Sequence, residues 1–239
     1  MTFPKVDLPV YKINILSQKD PVAFLPFTVK EQKILMMAKE SQDTKTIIDA
    51  VRQIINNCLL DKNIDVDKLP MVDLEWLMVN IQARSAGEKV PVYYKCNNIV
   101  EGNVCNMIMD LEVDLLKTEV VNKDVDLKIM ITSNIGIVMK LPTFETTQKL
   151  VTANTEKLDI ILSSLCIDYV FDEQSVMPAK DAKEEELIAF IEGLPSAKYE
   201  AIEQFFDNCP VIRLDLETDC PKCKFHHKIT LEGLEDFFT

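Results

Sequence analysis

The run Cys220-Pro221-Lys222-Cys223 sits between Val211-Ile212-Arg213-Leu214-Asp215-Leu216-Glu217 and Phe225-His226-His227-Lys228-Ile229-Thr230-Leu231. Leu214 and Leu216 alternate with Asp215 and Glu217, the period of an extended strand. The residues between the two stretches therefore make a tight turn that points both thiols one way. Two such sulfurs are half of a tetrahedral metal site. Cys96 and Cys105, more than a hundred residues earlier, supply the other half.

The same arrangement recurs around that earlier pair. Val90, Val92 and Tyr94 alternate with Pro91, Tyr93 and Lys95 and end at Cys96; after Cys105, Met109, Leu111, Val113 and Leu115 alternate with Asp110, Glu112 and Asp114. The polar loop Asn97 to Val104 joins them. Two hairpins, each with a cysteine pair at its tip, make a zinc-ribbon-like unit. Four sulfur ligands leave Zn²⁺ no open position for water, so the metal predicted here is structural. The eight residues between Cys96 and Cys105 exceed the usual two to four of a knuckle. His226 and His227 follow Cys223 closely and are alternative ligands in place of Cys96 or Cys105, but strand alternation lets at most one of them reach the site. A redox Cys-x-x-Cys opens a helix, whereas Pro221 and Lys222 lie between strands.

The rest of the chain is helical and extended by turns. Val10 to Ile15 reads as part of a strand over 8–16, and Phe24-Leu25-Pro26-Phe27 as a short extended piece. Thr28-Val29-Lys30-Glu31 is a capping-box pattern ahead of a helix at about 29–40. A second helix from Asp43 or Thr44 carries Ile47, Ile48, Val51, Ile54, Ile55, Cys58 and Leu59 on one face. A third, at 73–85, turns Leu74, Leu77, Met78 and Ile81 inward and stops at Gly87. Residues 125–131 and 135–141 form a hairpin around Ser133-Asn134. Helices follow at 143–152 and at 155–166, the latter with Cys166 on its apolar face. The acidic stretch 172–186, with Asp172, Glu173, Asp181, Glu184, Glu185 and Glu186 around Pro178, reads as a solvated loop into a helix at 182–192. A helix at 196–207 ends at Cys209-Pro210. Cys58 and Cys166 read as small buried hydrophobes.

The fold class is thus α+β, helices packed with antiparallel hairpins, two of them clasped by four cysteines. A metal joining the middle of the chain to its end makes residues 1–239 a single intertwined unit: a helical part over 1–89, a β part over 90–141 plus 211–239, and a helical insertion over 142–210.

Composition narrows the function. The chain has 239 residues, 47% hydrophobic and 27% charged, enough to bury a real core. Its net charge of −13 disfavours nucleic acid and anionic membranes, which are bound by Lys and Arg. No apolar run approaches the roughly 20 residues of a membrane span. The opening Met1-Thr2-Phe3-Pro4-Lys5-Val6-Asp7 does not read as a signal peptide, and seven cysteines then point to reduced thiols in a reducing cytoplasm. With five glycines, two adjacent histidines and neither a dinucleotide nor a phosphate-loop motif, no catalytic residues are indicated.

Several stretches in order carry a family likeness: Phe24-Leu25-Pro26-Phe27-Thr28-Val29-Lys30-Glu31-Gln32-Lys33-Ile34-Leu35, the helix ending Asn56-Asn57-Cys58, Asp67-Lys68-Leu69-Pro70 with Asp73, Tyr94-Lys95-Cys96, and the C-terminal Cys-x-x-Cys followed by Leu231-Glu232-Gly233-Leu234-Glu235-Asp236-Phe237-Phe238. Together they resemble the baseplate protein family of T4-like contractile-tailed bacteriophages, best over 8–115 and 211–238. The resemblance implies a non-enzymatic hub component or hub-assembly protein. Its place is the virion tail baseplate, or the host cytoplasm during assembly, and its partners are other tail proteins, with oligomerisation inside the baseplate. A transient chaperone, holding for instance the tape-measure protein, is the other role within that class. A zinc-ribbon nucleic-acid regulator is the alternative from a different class. Phe237 and Phe238 are either an exposed anchor for a partner or part of the packing on the last hairpin.

Overall fold

The computed structural model describes residues 6–41, 43–153 and 157–238. The opening five residues, the start of the helix expected from 155, and the Phe238 side chain lie outside the described residues. The fold is α+β, with helices packed on antiparallel sheets. Contacts group the chain into two compact units, one of Met1–Ile64, Val72–Val121 and Val211–Thr239, the other of Asp65–Met71 and Asn122–Pro210.

The first unit opens with the antiparallel pair β1 (Tyr11–Ile13) and β2 (Val22–Phe24). The ladder is shorter than the strand expected over 8–16, and the reason is chemical. The backbone amides of Leu16 and Ser17 donate to the buried Asp73 carboxylate at 2.7 and 2.9 Å, which draws the chain away from strand pairing. At the head of α1 (Val29–Ser41) the Thr28 amide donates to Glu31 Oε2 at 3.0 Å and the Lys30 amide to Thr28 Oγ1 at 3.3 Å, so the predicted residues do cap the helix. Asp43 caps α2 (Thr44–Cys58) by accepting from the Thr46 amide at 2.9 Å. The apolar stripe of α2 is buried at Ile54, Ile55 and Cys58. In α3 (Met71–Ser85) Leu74, Leu77, Met78 and Ile81 are buried, and Gly87 beyond it adopts a φ of 121°, which L residues rarely reach.

Next come β3 (Lys89–Lys95), the two-residue strands β4 (Ile99–Val100) and β5 (Asn103–Val104), and β6 (Ile108–Asp114), in which β4 pairs with β5 inside the longer hairpin of β3 with β6. The short strand β7 (Glu119–Val121) follows.

The second unit carries β8 (Lys128–Met130) and β9 (Gly136–Met139), the hairpin expected around Ser133-Asn134. After α4 (Phe144–Thr152) and α5 (Leu158–Leu165), β10 (Ile167–Phe171) and β11 (Val176–Pro178) complete a sheet of order β11-β10-β9-β8. The hairpin β10–β11 corrects the loop expected from residue 172. Its turn is built by Asp172, whose carboxylate accepts from the Gln174 and Ser175 amides, both at 2.8 Å. The pairings of β8 with β9 and of β9 with β10 place residues 128–139 in this sheet. Helices α6 (Glu184–Glu192) and α7 (Ser196–Asp207) contribute Ile191, Ile202 and Phe205 to a core shared with Ile129, Ile137, Met139, Cys166 and Ile167.

The chain returns to the first unit as β12 (Val211–Asp219), β13 (His226–Glu232) and α8 (Gly233–Phe238), giving a sheet of order β13-β12-β7. Ile212, Leu214, Ile229 and Leu231 from this sheet meet Val113 and Leu115 and the partly buried Val90, Val92 and Tyr94. Phe237 is buried in the same cluster, so it packs back on the last hairpin instead of standing out as an anchor. No helix among the described residues is long and apolar enough to cross a membrane.

Candidate metal centre

The register of β3 with β6 sets Lys95 opposite Ile108, and that of β12 with β13 sets Asp219 opposite His226. Each ladder thus delivers its cysteine pair to the hairpin end. The two turns close by the same hydrogen bonds. In the C-terminal one, the Cys220 amide donates to the Phe225 carbonyl and the Lys224 amide to the Cys220 carbonyl, both at 2.9 Å. In the other, the Cys96 amide donates to the Met107 carbonyl at 2.8 Å and the Asn106 amide to the Cys96 carbonyl at 3.0 Å. The residue after each second cysteine is left-handed, Asn106 at φ 54° and Lys224 at φ 61°. The long Cys96–Cys105 spacing is therefore an ordinary knuckle with an extra hairpin spliced into it. That hairpin, β4–β5, turns at Glu101 and Gly102, with φ of 50° and 81°, and is closed by the Cys105 amide donating to the Asn98 carbonyl at 2.8 Å.

The structure brings all four predicted cysteines together, their sulfurs lying within 4.8 Å of one another. Cys96 and Cys223 approach to 3.6 Å and Cys105 and Cys220 to 3.8 Å, each close pair spanning the two knuckles. Four sulfurs about 2.3 Å from a central tetrahedral ion would stand about 3.8 Å apart. A disulfide needs about 2.05 Å. The separations fit a four-sulfur metal centre and not a bonded pair, and all four residues are free cysteines. Soft thiolates in this geometry suit zinc or iron, and the closed shell leaves no position at which water could be activated.

The electrostatics are uneven. Burial pushes the Cys96 thiol up to about 12, although the Asn98 amide bonds its sulfur. The Phe225 amide pulls Cys223 down to about 6 against the opposing effect of burial. Four adjacent thiols cannot all ionise without a cation among them, and Cys223 is the member of intermediate burial. A divalent ion would favour the thiolate at every position. Two further bonds cross between the knuckles, Lys222 Nζ to the Cys105 carbonyl at 3.3 Å and Asn98 Nδ2 to Cys223 Sγ at 3.6 Å. Nothing in the sequence signals either.

Strand alternation separates the two histidines. His226 faces outward, its Nδ1 2.8 Å from Asp219 Oδ1. His227 is buried, with Nε2 3.1 Å from Cys96 Sγ and its ring edge-on to Tyr94 and Phe225 at centroid distances of 5.3 and 4.8 Å. It touches a sulfur rather than replacing one. Cys58 and Cys166 are not among the clustered cysteines, and burial pushes their thiols up to about 12, which leaves them inert core residues.

Among known proteins, the model of one family, described as T4 bacteriophage base plate protein, matches residues 8–239. No curated protein and no solved structure gives a significant match.

Proposed function

Since the chain belongs to the T4 bacteriophage base plate protein family and is a structural protein of the phage baseplate, we propose that it serves at the hub. There it binds other tail proteins as the hub or tail-tube initiator forms, and performs no catalysis. The observation that carries this reading is the family match over residues 8–239; the four-cysteine cluster, which brings residues 96–105 against residues 220–223, supports a scaffold because four sulfur ligands would leave a bound ion no open position. We assign the metal as structural Zn²⁺, held by Cys96, Cys105, Cys220 and Cys223. We further propose that residues 1–239 work as one intertwined unit, because each compact unit is assembled from separated stretches of chain.

Quantitative mass spectrometry of mature particles and of tail intermediates from infected cells tests the hub role. A constant ratio to the hub proteins in both is the expected result and also gives the copy number. Presence in intermediates alone would replace a permanent subunit with an assembly chaperone acting in the host cytoplasm, for instance on the tape-measure protein. Absence from both would overturn the hub reading. The regulator alternative would require salt-sensitive DNA binding, against a net charge of −13.

A further inference from the structure

The buried His227 has no place in the four-sulfur set, yet it lies against it. As an aromatic filler between Tyr94 and Phe225 it could be a phenylalanine. What phenylalanine would lack is the nitrogen 3.1 Å from Cys96 Sγ. A metal-bound thiolate carries no proton, so this contact is attractive only when Nε2 bears the hydrogen and donates it. The need for donors there is physical. Four thiolates around a divalent cation carry a net charge of −2, and Cys96 and Cys220 are both fully buried. Cys96 also accepts from the Asn98 amide, and His227 Nε2 on β13 stands where a second donor would act.

We propose that His227 is a positioning residue of the metal centre: its Nε2–H holds the Cys96 thiolate in the coordination sphere and slows release of the ion, without ligating it. This rests on the zinc reading above. The donor comes from β13 and the ligand from the turn after β3, so one hydrogen bond also ties the two hairpins together beside the metal.

The test uses the full untagged chain, since a purification tag would add histidines. Zinc transfer to an excess of a chromogenic chelator and the sulfur-to-cobalt charge-transfer bands of the Co²⁺-substituted protein are measured for wild type, His227→Phe and His227→Gln. Phe keeps the ring contacts and removes the donor; Gln restores an N–H. The Phe variant is expected to release zinc about 10- to 100-fold faster with shifted charge-transfer bands, and Gln to recover most of the difference. Wild-type rate and spectrum in the Phe variant would overturn the proposal. So would a wild-type cobalt spectrum of three sulfurs and one nitrogen, which would make His227 a ligand. If His227→Phe does not fold, long-range ¹⁵N–¹H spectra of zinc-loaded wild type decide. The Nε2–H tautomer at His227 supports the donor role and the Nδ1–H tautomer overturns it. Wild type that takes up neither zinc nor cobalt would fail the zinc reading itself, an outcome separate from those of the variants.

Discussion

Cys58 and Cys220 are both buried thiols, and replacing either by serine changes one atom. The consequences should differ. Cys220→Ser removes a ligand and should lower both the bound metal and the melting temperature. Cys58→Ser places a hydroxyl in an apolar helix face and should cost about 1–3 kcal/mol in denaturant unfolding while leaving metal content unchanged. The residue types and spacing separated these cysteines in the sequence, since Cys58 falls on a helical stripe and Cys220 on a turn. Asp73 was not legible in that way. Its partners, the amides of Leu16 and Ser17, are 57 and 56 residues away, and nothing local marks an aspartate that will accept them. Asp73→Ala strands those amides and should destabilise the fold by about 1–3 kcal/mol, read from the same unfolding midpoint. His227 stands between these cases. Strand parity allowed at most one histidine to reach the site, and the burial of His227 beside an exposed His226 decided which.

Local chemistry predicts elements well when their signal is self-contained. The capping box of α1 is such a signal, and Glu31 at its third position has a testable titration. Burial pushes its pKa up, but bonds from the Thr28 hydroxyl, the Thr28 amide and Asn57 outweigh it and hold the carboxyl below its ordinary value. A depressed folded pKa adds stability above the ordinary carboxylate range and loses it as pH falls through the folded value. The melting-temperature advantage of wild type over Glu31→Gln should therefore be full at neutral pH and shrink below about pH 4.5. A constant advantage into acid would contradict this. The hairpin β10–β11 escaped notice because β11 has only three residues, Val176 and Met177 are exposed, and Pro178 ends the run. Its core contact is specific all the same. A Cβ on Gly136 would stand 2.7 Å from Phe171 Cε1 and 3.0 Å from Met130 Sδ. Gly136→Ala should thus cost about 1–3 kcal/mol in unfolding, and adding Phe171→Leu should recover part of it. The spliced knuckle shows a different limit. Spacing alone made Cys96–Cys105 look too long for a metal turn, whereas its closure repeats that of Cys220–Cys223 bond for bond.

For the whole molecule, the four-cysteine cluster brings together what the sequence separates, and the physical consequence of an ion held there is linkage. An ion that binds the folded chain and not the unfolded one adds to stability, so a strong chelator should lower the melting temperature, and restored zinc should raise it again. If the chain is one intertwined unit, calorimetry of the loaded protein should show a single transition whose calorimetric and van't Hoff enthalpies agree; two resolved transitions would argue for independent units. The net charge of −13 opposes self-association by mutual repulsion. The centre on which this account turns can be tested by elemental analysis of freshly purified wild type and of Cys96→Ser and Cys223→Ser. The account predicts one zinc per chain in wild type and a loss of zinc in both variants. Wild type free of metal, with its seven thiols reacting alike toward a thiol reagent after unfolding and no change in melting temperature on chelation, would contradict it.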